Sequence, residues 1–386
     1  MSQPLNGYVV LDLTHVLAGP YAAMILSDLG AKVIKVERPD TGDDTRAFPP
    51  FKDGFSAYFA TINHGKESIA LDLKAPKDRA VFEQLLAQSD VVLENYRPGV
   101  MERLGYGWED LHPKYPKLIY GAVSGFGHTG PDARRPAYDM VVQARGGVMS
   151  ITGERDREPV RVGASIGDIA AGMFLAQGIL AVLLAVKSGA VGQKVDVAML
   201  DSQLAMLEHA VAITSVTGAP PRPNGARHPS ITPFETFHAS DGLFVIAAGN
   251  DVLFARLCEA LDLPLAEDPR FATNGARCEN ARLLKRLIEA VTIDQTVGHW
   301  ISRLEAYGIP TGPIQNVAQA MEDPQMKARN MVVSVLDKSG APAFVAAGNP
   351  IKLSNMEDPT TRAPAPTLDG DRAAILDWLA SRENSG

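Results

Sequence analysis

The chain has 386 residues, with 37 Lys and Arg against 45 Asp and Glu, a net charge of −8 and two cysteines. Its 46% hydrophobic and 21% charged residues are ordinary globular values and exclude a disordered, collagen-like or coiled-coil chain. An acidic chain without Lys/Arg-rich runs is ill suited to bind nucleic acid, and Cys258 and Cys278, with no CxxC, exclude a disulfide scaffold and a cysteine zinc site. That cysteine usage fits a reducing, cytoplasmic setting, and the first residues lack the basic and apolar regions of a secretory signal.

In chain order, the apolar run 8–13 reads as a strand and 20–29 as a helix with Pro20 at its start. Residues 31–37 alternate at period two, 68–73 form another strand, 76–88 a helix and 90–93 a strand. A buried-type strand, 118–124, ends in a glycine-rich loop, followed by a helix over 137–150 and a strand at Val160-Arg161-Val162. A long helix from about Ser165, a strand over 194–198 and a helix to about Val216 complete this part. Strands alternating with helices predict parallel β-α units covered on both faces, an α/β fold with a Rossmann-like large domain. Residues 169–186 are apolar apart from Gln177, the lower limit for a membrane span. Their Ala and Gly content and the flanking Asp168 and Lys187 predict a buried core helix instead, and no membrane association.

Composition changes at 218–233, where five prolines mark a linker. Beyond it a hairpin turning at Ser240-Asp241-Gly242 and helices to about Tyr307 predict a smaller α/β domain over 226–325. The large domain is expected over 1–217, with 326–386 returning to it, completing it from about 330 and ending in a helix over 369–381.

Two motifs invite a functional reading. Gly125-Phe126-Gly127-His128-Thr129-Gly130 matches the dinucleotide fingerprint, but Pro131 and Pro136 follow where that loop must open a helix. Gly163-Ala164-Ser165-Ile166-Gly167 matches a hydrolase nucleophile elbow between a predicted strand and helix, with Ser165 as nucleophile. The late catalytic histidine such an enzyme needs is missing, since His299, the last in the chain, lies in a helix-like context. Asp168, in the same loop, reads first as a helix-capping acid, the usual role of an aspartate there, and also as a carboxylate nucleophile beside a glycine. Periodicity leaves both open.

Taken together, Val10-Leu11-Asp12-Leu13-Thr14-His15-Val16-Leu17-Ala18-Gly19-Pro20, Leu29-Gly30-Ala31-Lys32-Val33-Ile34-Lys35-Val36-Glu37-Arg38 and Leu71-Asp72-Leu73-Lys74 resemble the family III CoA-transferases. Glu94-Asn95-Tyr96-Arg97-Pro98-Gly99, Ser124-Gly125-Phe126-Gly127, Tyr138-Asp139, Gly167-Asp168 and Asp268-Pro269-Arg270-Phe271 extend the resemblance over nearly the whole chain. The family includes formyl-CoA and carnitine CoA-transferases and α-methylacyl-CoA racemases.

The resemblance implies that Asp168 attacks a donor thioester, forming an aspartyl–acyl anhydride and then an aspartyl–CoA thioester. It implies an acyl-CoA and a carboxylic acid as partners, coenzyme A as a substrate moiety rather than a prosthetic group, no metal, and an interlocked homodimer. Val16, Arg38, Lys74, Asn95, Tyr96, Arg97 and Arg103 are the implied CoA-binding positions. Racemases of the family place a histidine where this chain has Tyr138, and a phenol titrating near 10 exchanges protons poorly at neutral pH, so transfer is favoured over racemisation. Two departures point away from oxalate and formyl-CoA: Leu17 replaces a glutamine, and Asn224-Gly225-Ala226-Arg227-His228 replaces a glycine run. Arg227 and His228, or Arg46 and His15, are then candidates to meet the distal carboxylate of an acid such as succinate, itaconate or glutarate.

Overall fold

The protein is described from a computed structural model covering residues 3–383. It divides into two compact units, one holding the chain up to Val148, Arg161–Glu208 and the segment from Asp323 onward, the other Met149–Val160 and His209–Glu322. The longer segment of the second unit therefore starts at His209, before the linker expected from sequence, and takes in the proline-rich stretch 218–233.

The first unit opens with β1 (Val9–Asp12), α1 (Ala18–Asp28), β2 (Lys32–Glu37), the short hairpin β3 (Phe51–Lys52) and β4 (Phe55–Ser56), α2 (Ala57–Asn63) and β5 (Glu67–Ala70). It continues through α3 (Pro76–Ala87), β6 (Val91–Glu94), α4 (Val100–Leu104), α5 (Trp108–Leu111), β7 (Ile119–Ser124) and α6 (Asp139–Arg145). The chain leaves this unit in α7 (Val148–Ile151), all but its first residue in the second unit, and returns for α8 (Ile166–Lys187), β8 (Lys194–Ala198) and α9 (Met199–Met206). Six strands form one parallel sheet in the order β5-β2-β1-β6-β7-β8. Side chains alternate across it: Val10, Val33 and Leu93 pack with α1 and α8, while Val9, Leu11, Ile34 and Val92 pack with α3 on the other face. Both faces are covered, which is why these strands read as nearly unbroken apolar runs.

One face of α8 is core: Ala171, Leu175, Ala176, Ile179 and Leu183 are buried against the sheet and α1. By length and composition this helix could also cross a membrane, the one helix among the described residues that meets that criterion. The sequence reading fails at Val160-Arg161-Val162, which is irregular chain rather than a strand. Pro159 and Gly163 flank it, and Val162 donates its N–H to the Gln143 side chain at 2.9 Å instead of to a strand.

The second unit contains α10 (Glu208–Thr217), all but its first residue, and the antiparallel sheet of β9 (Phe234–His238), β10 (Leu243–Ala247) and β11 (Thr311–Pro313). Helices α11 (Asp251–Ala260), α12 (Asn274–Glu279), α13 (Ala281–Thr292), α14 (Val297–Ala306) and α15 (Val317–Glu322) accompany it, with Phe237, Phe244, Leu257, Phe271 and Trp300 in its core. The chain then re-enters the first unit through α16 (Pro324–Ala328) and a small sheet of β12 (Val332–Leu336), β13 (Pro342–Ala347) and β14 (Thr361–Arg362). The final helix, α17 (Arg372–Glu383), buries Ile375 and Leu379 in the sheet-face core containing β5.

Candidate active site

From β1 the chain crosses to β2 and β5 on one side, and reaches β6 only on the other. Beyond the carboxyl ends of β1 and β6 this reversal opens a crevice, the place where open α/β sheets bind ligands. Segment 13–17 leaves β1 there, and Asn95 and Tyr96 leave β6. Asn95 brackets His15, accepting its N–H at 2.9 Å and donating to its C=O at 2.7 Å. The His15 and Tyr96 rings lie 5.4 Å apart, and with Thr14, Arg38, Gly42 and Asp43 they line a cavity of about 200 Å³. Burial, the main cause, lowers the His15 pKa.

Under this crevice lies a charged network. Lys35 and Asp43 pair at 3.0 Å with side chains at most 1% exposed, and Lys66 pairs with Asp12 at 2.9 Å. Lys35 donates to the Thr14 C=O at 2.7 Å, and Lys66 to the Pro20 C=O at 3.2 Å. Asp43 Oδ1 accepts the Val16 N–H at 3.2 Å. Val16 has φ +66°, a left-handed backbone that costs on the order of 1–3 kcal/mol at a non-glycine residue and is worst for a β-branched one.

The same segment leads to Asp168. Asp168 occupies the first turn of α8, and the backbone N–H of Ala18, the first residue of α1, is close enough to the Asp168 carboxyl to favour its charged form. Two helix N-termini thus meet one carboxyl, which favours its anion. Burial outweighs them, and the nearby Asp139 adds to it, so the Asp168 pKa is pushed up to about 7. Asp139, in the first turn of α6, accepts the Gly167 N–H at 2.8 Å and a Gln143 Nε2 donor at 2.7 Å, tying α6 to the start of α8. Gly167 is needed for that approach, because a Cβ there would lie 2.8 Å from Val142 Cγ2. Gly172 is needed likewise, since its Cβ would lie 2.6 Å from the Ala18 carbonyl oxygen.

The structure gathers some of the residues singled out from sequence and separates others. Val16, Leu17 and His15 are half-buried beside the crevice. Arg38 is exposed at its edge, pairing with Asp44 and donating to Gly42 C=O at 3.1 Å. Lys74, Arg97 and Arg103 are exposed on segments following the carboxyl ends of β5 and β6. Tyr138, directly before α6, is 77% exposed. Arg46 does not present its guanidinium to an open site: it grips the buried Glu37 with two bonds of 2.8 and 2.6 Å and stacks over Phe59.

Arg227 and His228 belong to the second unit. Arg227 donates to Asn224 Oδ1 at 2.8 Å and lines a polar cavity of about 180 Å³ with Glu154, Arg155, Arg282 and Lys285. His228 stacks on Phe234 at 5.2 Å. Ser165 precedes α8 but is reached by irregular chain, so the strand–turn–helix of a nucleophile elbow is not formed. The Gly125–Gly130 loop likewise opens no helix. Sequence reasoning missed Tyr58 on α2, whose pKa is raised by burial first and then by Asp168, Asp43 and Asp139. It also missed Lys35 and Asp43 as a pair; the strand-and-turn stretch 35–43 holds five charged residues, Lys35, Glu37, Arg38, Asp40 and Asp43, and nothing local marks which two meet. Among the described residues no cluster suited to a metal ion occurs.

Comparison with known proteins fits this geometry. Residues 5–372 match the signature of CoA-transferase family III. The chain is 46% identical over 382 residues to the acetyl-CoA:oxalate CoA-transferase of Acetobacter aceti, covering 98% of this chain and 97% of that one. It is 37% identical over 390 residues to the succinate–glutarate CoA-transferase of Agrobacterium fabrum, covering 99% and 97%. The crystal structure of a CAIB/BAIF family protein from Brucella suis superimposes with a TM-score of 0.87 at 38% identity, covering 98% of this chain and all of that one. The chain belongs to CoA-transferase family III.

Proposed function

We propose that the protein moves CoA from an acyl-CoA to a dicarboxylic acid, with Asp168 as the nucleophile. The observation that carries this reading is one carboxyl, poised near neutrality, between the N-termini of α1 and α8, at the end of the segment that lines the crevice. Asp168 attacks the thioester carbonyl, giving an aspartyl–acyl anhydride and CoA thiolate. The thiolate attacks the aspartyl carbonyl, releasing the donor acid and leaving an aspartyl–CoA thioester. The acceptor carboxylate displaces the thiolate to form a second anhydride, and the thiolate takes the new acyl group, restoring the Asp168 carboxylate. In the two additions at the aspartyl carbonyl the Ala18 N–H is suited to the oxygen that gains charge.

The crevice at β1 and β6 would take CoA, with Val16, Asn95 and Tyr96 along it and Arg38, Lys74, Arg97 and Arg103 toward its phosphates. The relatives named for oxalate and for succinate and glutarate support a dicarboxylic acceptor. Because the oxalate-named relative is 46% identical, Leu17 and the 224–228 stretch do not by themselves exclude oxalate. The chain is further proposed to act as a homodimer in the cytoplasm; Met173, Phe174 and Leu184 on α8 are exposed apolar residues suited to a subunit contact. Isotope-labelled CoA exchange from succinyl-CoA and acetyl-CoA to a panel of acids tests the assignment. Asp168→Ala abolishes exchange and retains CoA binding, whereas Arg103→Ala weakens CoA binding several-fold. Normal turnover by Asp168→Ala would refute the mechanism.

A further inference from the structure

Between β1 and α1 the chain does two things within five residues: Thr14 and His15 line the crevice, and Ala18 meets Asp168. The path between them runs through Val16 in its left-handed conformation, which a valine does not hold unaided. Its N–H is held by Asp43 Oδ1 at 3.2 Å, and the Thr14 carbonyl by Lys35 Nζ at 2.7 Å. These two side chains are paired with each other at 3.0 Å and are closed off from solvent. Asp43 is itself fixed, since Thr45 donates to it through N–H at 2.9 Å and hydroxyl at 2.8 Å, and Glu37 accepts the Asp43 N–H at 3.0 Å. A buried ion pair seldom adds stability over apolar packing, so its position under this segment calls for another role.

We propose that Lys35 and Asp43 are positioning residues for the transfer reaction, clamping segment 14–18 so that the Ala18 N–H is aimed at the Asp168 carboxyl while Thr14 and His15 shape the crevice. This rests on Asp168 as nucleophile. The charge state of the pair is consistent with a permanent clamp. Burial pushes the Asp43 carboxyl up, but Lys35 and the Thr45 donors outweigh it and hold the pKa at about 2. The groups facing Asp168 are Asp139 from α6, Tyr58 from α2 and the Ala18 N–H from α1; the clamp reaches Asp168 through Ala18, and the Asp43 charge also acts on Tyr58.

The test is Asp43→Asn, which keeps an oxygen for Val16 and Thr45 but removes the charge, alongside the milder Thr45→Val, which removes one donor to Asp43. Each is assayed for kcat, acyl-CoA KM and the pH dependence of kcat/KM, with melting temperature and CoA binding as folding controls. Asp43→Asn is expected to lower kcat by roughly tenfold to a hundredfold. Its acidic-limb midpoint should move above the wild-type value, because a weakened Ala18 donor favours protonated Asp168. Thr45→Val is expected to shift both in the same direction by less. If either folded variant loses melting temperature while kcat and the midpoint stay at wild-type values, the pair is merely structural and the proposal is overturned. That outcome is separate from failure of the nucleophile assignment, which would show as turnover by Asp168→Ala.

Discussion

At Asp168, burial and the neighbouring Asp139 hold the carboxyl near pH 7 against the pull of the Ala18 N–H. The nucleophile is the ionised form, so kcat/KM should rise about tenfold per pH unit below about 7 and level off above it. The same shift has a stability signature. With a folded pKa raised from 3.8 to about 7, the folded state holds a proton that the unfolded state releases between those values. Stability therefore falls as pH rises through that window and stays reduced above it. Replacing the acid with a neutral isostere removes the loss: Asp168→Asn should be more stable than wild type by roughly 2–4 kcal/mol above pH 8. Below pH 4 the difference should vanish. Melting curves at pH 4 and 8 check this, and equal stabilities at pH 8 would contradict it.

At the scale of elements, the site depends on how closely α1 and α8 approach. The Gly172 Cβ position lies against the Ala18 carbonyl, a backbone atom that cannot swing aside. Gly172→Ala should therefore cost about 1–3 kcal/mol by overpacking and lower kcat as well, because α1 carries the N–H that meets Asp168. Thermal unfolding and steady-state kinetics on one preparation check both effects. Most of the parallel sheet was legible in the sequence, because strands such as β1 and β6 are buried on both faces and appear as apolar runs. Segment 160–162 misled because apolar alternation says nothing about whether a segment pairs; here the Val162 N–H is taken by the Gln143 side chain. Strands β12 and β13 escaped notice because Ser334 in one and Pro342 at the start of the other interrupt the apolar pattern. Asp168 stood out only through resemblance, since its spacing suits a cap equally well. Lys35 sits at a position where strand alternation suggests solvent, yet it is fully buried; its partners Thr14 and Asp43 are brought to it only by the fold.

For the whole molecule, the net charge of −8 is compatible with a polyanionic substrate, because Arg38, Lys74, Arg97 and Arg103 follow the carboxyl ends of one group of strands. The exposed apolar residues of α8, and an α10 with no buried residue, support association of two copies. Light scattering should give twice the chain mass, and a monomer at micromolar concentration would count against the dimer. Transfer by this route requires a covalent stage at Asp168. The most direct test incubates the protein with succinyl-CoA, quenches with hydroxylamine and maps the peptides by mass spectrometry. The predicted result is a hydroxamate at Asp168 that requires the acyl-CoA and is absent from Asp168→Ala. Full turnover with no adduct at Asp168, or an adduct at Ser165 instead, would contradict it.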